Sequence, residues 1–191
     1  MDYKKAKTDR RILYTKMVLR ESLLELMREK PIGKITPTEL CRRASLNRNT
    51  FYSHYDSPES LLSSIEDELY AEINRSLTDS PADGDVMLML TEILQAIRKN
   101  GDLCKVLFSE RGDVEFLRRI VNIAREKCVA AWRAAGMTEE GGQMEMLYSY
   151  TASGSVAVIE GWIREDMALS PEEVARFIAK ATAYGQQAFL R

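Results

Sequence analysis

Cysteine, histidine, proline and long apolar runs are all scarce in this chain, and each scarcity closes off a class of explanation. Of 191 residues, three are cysteine (Cys41, Cys104 and Cys128) and one is histidine (His54). Three thiols far apart in sequence do not make a zinc site, and an odd number does not build a disulfide framework. They are read as buried or half-buried thiols, with a redox- or inducer-sensing cysteine as the alternative. No metal site and no cofactor is expected. The longest uncharged stretch of the apolar region, Met146 to Ile159, falls short of the roughly 20 residues that span a bilayer. The opening MDYKKAKTDRR has no apolar segment behind its charges, so no signal peptide is expected, no membrane partner, and a cytoplasmic location. Alternating β-branched runs bounded by turn pairs are missing, so strands are not expected. Phosphate loops and nucleophile elbows are missing too, so the chain is not read as an enzyme.

What is present is helical patterning and an uneven charge. Residues 1–60 hold 13 Lys+Arg against 8 Asp+Glu, while the other 131 residues hold 14 against 21. A basic head on an acidic body suggests that only the head meets a polyanion, although a solvated imbalance would look the same. Asp9 to Glu29 places Leu13, Met17, Leu24 and Met27 at helical spacing, widened by Leu23 and Leu26. Helix starts are marked by Thr36-Pro37-Thr38-Glu39 and Ser170-Pro171-Glu172-Glu173, each with a capping hydroxyl, a proline that loses no hydrogen bond and a glutamate three residues on. Ser57-Pro58 is a weaker version; Gly101 and Gly136 mark ends.

The pattern predicts an all-α chain of about nine helices, near 9–29, 37–44, 48–54, 58–78, 85–99, 102–110, 113–135, 139–166 and 170–190. The first three form a three-helix, homeodomain-like head over residues 1–57. Residues 58–80 form a connecting helix and residues 81–191 a body, with the turn-rich TDSPADGD at 78–85 as the junction.

The densest cluster of hydrogen-bonding side chains is SLNRNTFYSHY, residues 45–55. On a helical wheel Phe51 and Tyr55 share one edge, and Asn49, Thr50 and Ser53 share the opposite one. The preceding helix likewise buries Leu40, Cys41 and Ala44. Two short helices joined by Ser45-Leu46-Asn47, with Leu46 between them and Asn47 capping the second, make a helix-turn-helix. A major groove about 12 Å wide admits a helix whose outer face carries small donors and acceptors. Asn49, Thr50 and Ser53 suit base edges, Arg48 suits guanine or phosphate, and Tyr52 and His54 suit phosphates on the groove walls. Thr36 and Thr38 suit a further phosphate, and Asn47 completes the DNA-facing set. A helical hairpin with a merely polar outer face is the alternative.

The segment KITPTELCRRASLNRNTFYSHYDSPESLL resembles the DNA-binding head of tetracycline-repressor-like (TetR/AcrR) transcriptional regulators. The resemblance covers about residues 10–65, through Thr36, Leu40, Ala44, Leu46, Thr50, Phe51, Tyr52, His54, Tyr55 and Leu61. It implies that Thr50, Tyr52 and His54 touch DNA and that Thr36 and Thr38 touch phosphate. Three positions depart from the pattern. Asn47 replaces a hydroxyl cap, Cys41 replaces a small alanine, and Pro58 stands where a phosphate-binding lysine is common. Lys4, Lys5, Lys7, Arg10 and Arg11 either replace that clamp as a basic arm or are a solubilising tail.

The resemblance further implies a body that dimerises and often binds a small molecule, so the expected function is a ligand-responsive regulator. It is read as a repressor that binds a near-palindromic duplex operator as a homodimer. A dimer face is expected from Tyr148, Thr151, Ser155, Val158, Ile159 and Trp162 on one helix and Phe177, Ala181 and Tyr184 on the last, with part of each stripe serving as core within the chain. A pocket for an unidentified effector is expected from Leu90, Leu94, Phe108, Phe116, Ile120, Trp132 and Tyr148, although such stripes also make ordinary core. A module that keeps this fold but acts through another protein is the second class of function.

Overall fold

In a computed structural model of the chain, the described residues are 2–79, 85–109, 114–137 and 142–187. Among them are ten α-helices and one 3-10 turn (Ile32–Lys34), with no strand. In chain order they are α1 (Asp2–Glu29), α2 (Pro37–Arg43), α3 (Arg48–Tyr52), α4 (Pro58–Asp79) and α5 (Val86–Lys99). There follow α6 (Gly101–Leu107), α7 (Val114–Ile123), α8 (Arg125–Ala134), α9 (Gln143–Arg164) and α10 (Pro171–Gln187). The single helix expected at 113–135 is divided at Ala124 into α7 and α8; Ala124 keeps α-helical angles (φ −76°, ψ −14°) and its carbonyl accepts from the Cys128 N–H at 2.9 Å. Most of the expected junction, residues 80–84, lies outside the described residues. The chain divides into two compact units inside α4, between Glu68 and Leu69.

The caps do what their chemistry predicts. Ser170 Oγ accepts from the Glu173 N–H at 3.2 Å while the Glu173 carboxylate accepts from the Ser170 N–H at 2.8 Å, a reciprocal box that opens α10. These bonds hold the Glu173 carboxyl below its ordinary range. At Ser57-Pro58, Ser60 replaces the missing glutamate: its Oγ accepts from the N–H groups of Asp56 and Ser57, each at 3.1 Å. Gly136 adopts φ +93° after α8, and the Met137 N–H returns to the Trp132 carbonyl at 3.0 Å. Gly101 follows the end of α5, whose C-cap is Asn100, and is at once the first residue of α6. A Cβ there would sit 2.8 Å from Met167 Cε.

The first unit packs α1, α2, α3 and the start of α4 around Leu19, Leu23, Leu26, Leu40, Phe51 and Leu61, all nearly sealed from solvent. The inward face of α1 is rotated from the expected one. Leu13 and Met17 are 66% and 48% exposed, while Thr15 and Ser22 are buried with Leu19, Leu23, Leu26 and Met27. At about 100° per residue, Thr15 and Ser22 fall at one edge of the buried arc, where small hydroxyl residues can be enclosed, and Leu13 and Met17 fall beyond its other edge. On the surface Arg43 of α2 reaches Glu25 (3.2 Å) and Glu29 (2.9 Å) of α1. Pairs this exposed contribute little stability.

In the second unit, α10 packs along α5 and α9, and α7 and α8 pack on α9. Its core includes Leu94, Ile97, Leu103, Phe116 and Trp162. The Trp162 indole N–H donates to the Leu169 carbonyl at 2.9 Å, which holds the turn after α9.

Candidate nucleic-acid interface and body cavity

Phe51 decides which way α3 faces. It is fully buried, with the Tyr52 and Tyr55 rings 5.4 and 6.2 Å away, and Leu40, Cys41 and Ala44 of α2 are buried in the same unit. Anchoring one edge of a five-residue helix turns the other edge outward. Thr38, Asn47, Arg48, Asn49, Tyr52 and Ser53 are exposed, as is Thr36; Thr50, His54 and Leu46 are half-buried.

The turn before α3 is tight. Ser45 takes φ +53°, the Leu46 N–H donates to Cys41 O at 2.9 Å and the Ser45 N–H to Arg42 O at 3.3 Å. That is the left-handed helix ending usually given to glycine. Asn47 then caps α3, its Oδ1 accepting from the Thr50 N–H at 2.7 Å and from the Thr50 hydroxyl at 3.0 Å. Replacing Asn47 with alanine is expected to cost about 1 kcal/mol, read as an earlier chemical-denaturation midpoint with little change in slope.

The hydrogen bonds on α3 fix which partners its side chains still seek. The Thr50 hydroxyl spends its proton on Asn47, and Ser53 Oγ spends its own on the Thr50 carbonyl at 2.7 Å. Both oxygens are left as acceptors. Tyr52 Oη accepts from Arg48 Nη2 at 3.2 Å, with the guanidinium 5.6 Å from the ring centroid. The Tyr52 proton and the remaining Arg48 N–H groups are left as donors. Thr36 Oγ1 accepts from the Glu39 N–H at 3.3 Å, leaving its proton free as well. The face thus carries acceptors toward its middle and donors around them.

In the second unit, a cavity of about 70 Å³ lies among α5, α7, α8, α9 and α10. Of the residues expected to line a pocket, Leu90, Ile120, Trp132 and Tyr148 do so. Leu94, Phe108 and Phe116 do not: Leu94 is fully enclosed in the core, and Phe108 stacks on Phe116 at 6.3 Å. Sequence reasoning missed Met89, Ile93, Ile97, Ala124, Cys128 and Ala152, and the small ones among them carry the signal. A small side chain facing large ones leaves the void.

The expected dimer face also shifts. Tyr148, Ile159 and Trp162 are buried within the chain, at 7%, 4% and 5% exposure, and are closed to a partner. The stripe they form with Met144 and Leu147 packs inward, so Met146 and Tyr150 on the opposite side of α9 stand in solvent at 62% and 77%. Phe177, Ala181 and Tyr184 of α10 are exposed, and Thr151, Ser155 and Val158 are half-buried. A surface groove of about 160 Å³ runs between α9 and α10, lined by Tyr150, Gly154, Val158, Phe177 and Ala181 among others. Thr151, Ser155, Ile178 and Thr182 line both this groove and the cavity.

An all-helical chain whose second and third helices form a helix-turn-helix, followed by a larger helical body, belongs in class with the helix-turn-helix regulators. The family described as transcriptional regulator C-terminal region, of TetR type, matches residues 85–183. The chain is therefore a member of the TetR family of transcriptional regulators. A curated relative, the uncharacterized HTH-type transcriptional regulator YxbF of Bacillus subtilis strain 168, is 32% identical over 95 residues; the match covers 49% of this chain and 25% of that protein. The chain thus matches only about a quarter of that relative's length. Among solved structures, a TetR transcriptional regulator from Streptococcus agalactiae 2603V superposes with a TM-score of 0.68 at 23% identity, covering 93% of this chain and 98% of that one. The dihydroxyacetone kinase operon activator DhaS superposes with a TM-score of 0.64 at 19% identity, over 93% and 98% of the two chains. At such identities these likenesses speak to the fold alone.

Proposed function

We propose that this regulator binds a near-palindromic operator as a homodimer, each subunit laying α3 in a major groove, and that a small molecule in the body cavity releases it. The observation that carries the DNA-binding reading is the split of α3, with Phe51 fully buried and Arg48, Asn49, Tyr52 and Ser53 exposed. The bonds along α3 refine the roles. Thr50 and Ser53, left as acceptors, favour bases that present an amino group in the major groove, adenine N6 or cytosine N4. Tyr52, Arg48 and Thr36, left as donors, favour phosphates, with Thr38 and His54 beside them and Asn47 holding the helix end. Asn49 is open to either kind of base edge.

Repression follows if the operator overlaps the promoter, because a bound dimer then occludes it. DhaS, of similar fold, is named an activator, so the sign is decided by where the operator lies. Release by an effector requires that the cavity's occupant favour one separation of the two heads over another.

The test is an anisotropy titration on duplex from upstream of the gene, over a range of salt. Specific binding with a steep log–log salt slope is expected, each neutralised phosphate contributing about −0.9. Thr50→Ala should relax base preference at one position of each half-site. Tyr52→Phe should weaken binding uniformly across sequences. A flat salt response without sequence preference would reject the reading.

A further inference from the structure

The cavity in the second unit contains no charge. None of its described lining residues is Asp, Glu, Lys, Arg or His. Arg125, whose guanidinium lies 5.6 Å from the Tyr148 ring centroid, does not line it and is bonded to Glu145. The two ionisable groups that do line it are neutral at pH 7, since burial pushes the Cys128 thiol up to about 11 and the Tyr148 hydroxyl up to about 12. A protonated, half-buried thiol is a poor nucleophile, so Cys128 serves as wall.

Thr151, Ser155, Thr182 and the neutral Tyr148 bring hydroxyls to the lining, and two of these have their protons committed. Thr151 Oγ1 donates to the Leu147 carbonyl at 2.9 Å, and Ser155 Oγ donates to the Thr151 carbonyl at 2.7 Å. Each of these two oxygens keeps lone pairs and has no proton to offer, so Thr151 and Ser155 stand as acceptors on one wall, α9, in a mostly apolar lining. A charged guest would lose its hydration with no counter-charge to replace it. At Thr151 and Ser155 a guest with only acceptors would find oxygens facing oxygens.

We infer that the cavity takes an uncharged, largely apolar molecule bearing a hydrogen-bond donor, such as an alcohol or phenol, with Thr151 and Ser155 as its acceptors. The inference rests on the cavity being the effector site and narrows the class of effector.

The experiment titrates the full chain with four probes of one length: n-hexanol, its isomer methyl pentyl ether, hexanoate and hexylammonium. Binding is read by calorimetry and by the emission of Trp132, which lines the cavity. Hexanol should bind at least about tenfold more tightly than either ion, and more tightly than the ether. Thr151→Val, which keeps shape and removes one of the two acceptors, should weaken hexanol toward the level of the ether and leave the ether unchanged. Either ion binding as well as hexanol overturns the inference, as does hexanol binding no better than the ether, or no probe binding at millimolar concentration. A parallel DNA titration separates the two readings. Hexanol bound with operator affinity unchanged would sink the effector role and leave the ligand class standing.

Discussion

Phe51→Ala should unfold the DNA-binding head at far milder conditions than the parent and abolish operator binding. Phe51 is fully enclosed, and it is the only buried residue of α3. A helix of five residues has no stability of its own; packing holds it. Removing a buried phenyl ring costs about 3–5 kcal/mol, from lost transfer energy and from the hole left behind. The loss should register as faster amide exchange in α2 and α3, while the amides of α5 and α10, in the other unit, keep their protection. Tyr52→Ala is the contrast. At 45% exposure its removal should leave stability within about 0.5 kcal/mol and act on DNA affinity. Operator binding surviving Phe51→Ala would mean that α3 is held in some other way.

Phe177→Arg should make the protein monomeric and weaken operator binding by about 10²-fold or more, since a dimer's second half-site binds at a high effective concentration. Phe177 is 62% exposed in the groove between α9 and α10. In an isolated chain the change is therefore cheap, and Glu173, one turn earlier on α10, is a favourable neighbour for the new guanidinium. Across a two-fold axis the same change sets like charges against each other in place of apolar contact. Sedimentation should show the monomer, with an unchanged helical signal. A variant that stays dimeric would place the interface elsewhere.

Much of this fold could be read from the chain because the signals were local. The cap at Thr36, the box at Ser170 and Glu173, the glycine at 136 and the asparagine at 47 each act within a few residues. Two helix ends carry no glycine to mark them: Ser45 (φ +53°) and the pair Asp166 and Met167 (φ +61° and +54°) adopt the left-handed conformation all the same. Surrounding contacts impose it, through the bond from the Leu46 N–H to Cys41 O and from the Met167 N–H to Trp162 O at 2.8 Å. The α3 face was legible because Phe51 and the polar edge alternate within five residues. The faces of α1 and α9 were less so. A periodic stripe says that a helix has a buried side, but which arc is deepest depends on neighbours distant in sequence. Hence Leu13 and Met17 turned outward, and Tyr148, Ile159 and Trp162 turned inward. The void among Ala124, Cys128 and Ala152 depends on which large residues face them, and spacing along one helix does not report that.

Thr151, Ser155, Ile178 and Thr182 form a partition shared by the hollow and the open groove. A guest too bulky for the hollow must bow that partition outward, reshaping the very trough in which Phe177 sits. Small guests leave it flat. Molecular girth, as much as polarity, would then sort compounds that merely lodge inside from compounds that alter the outer contour.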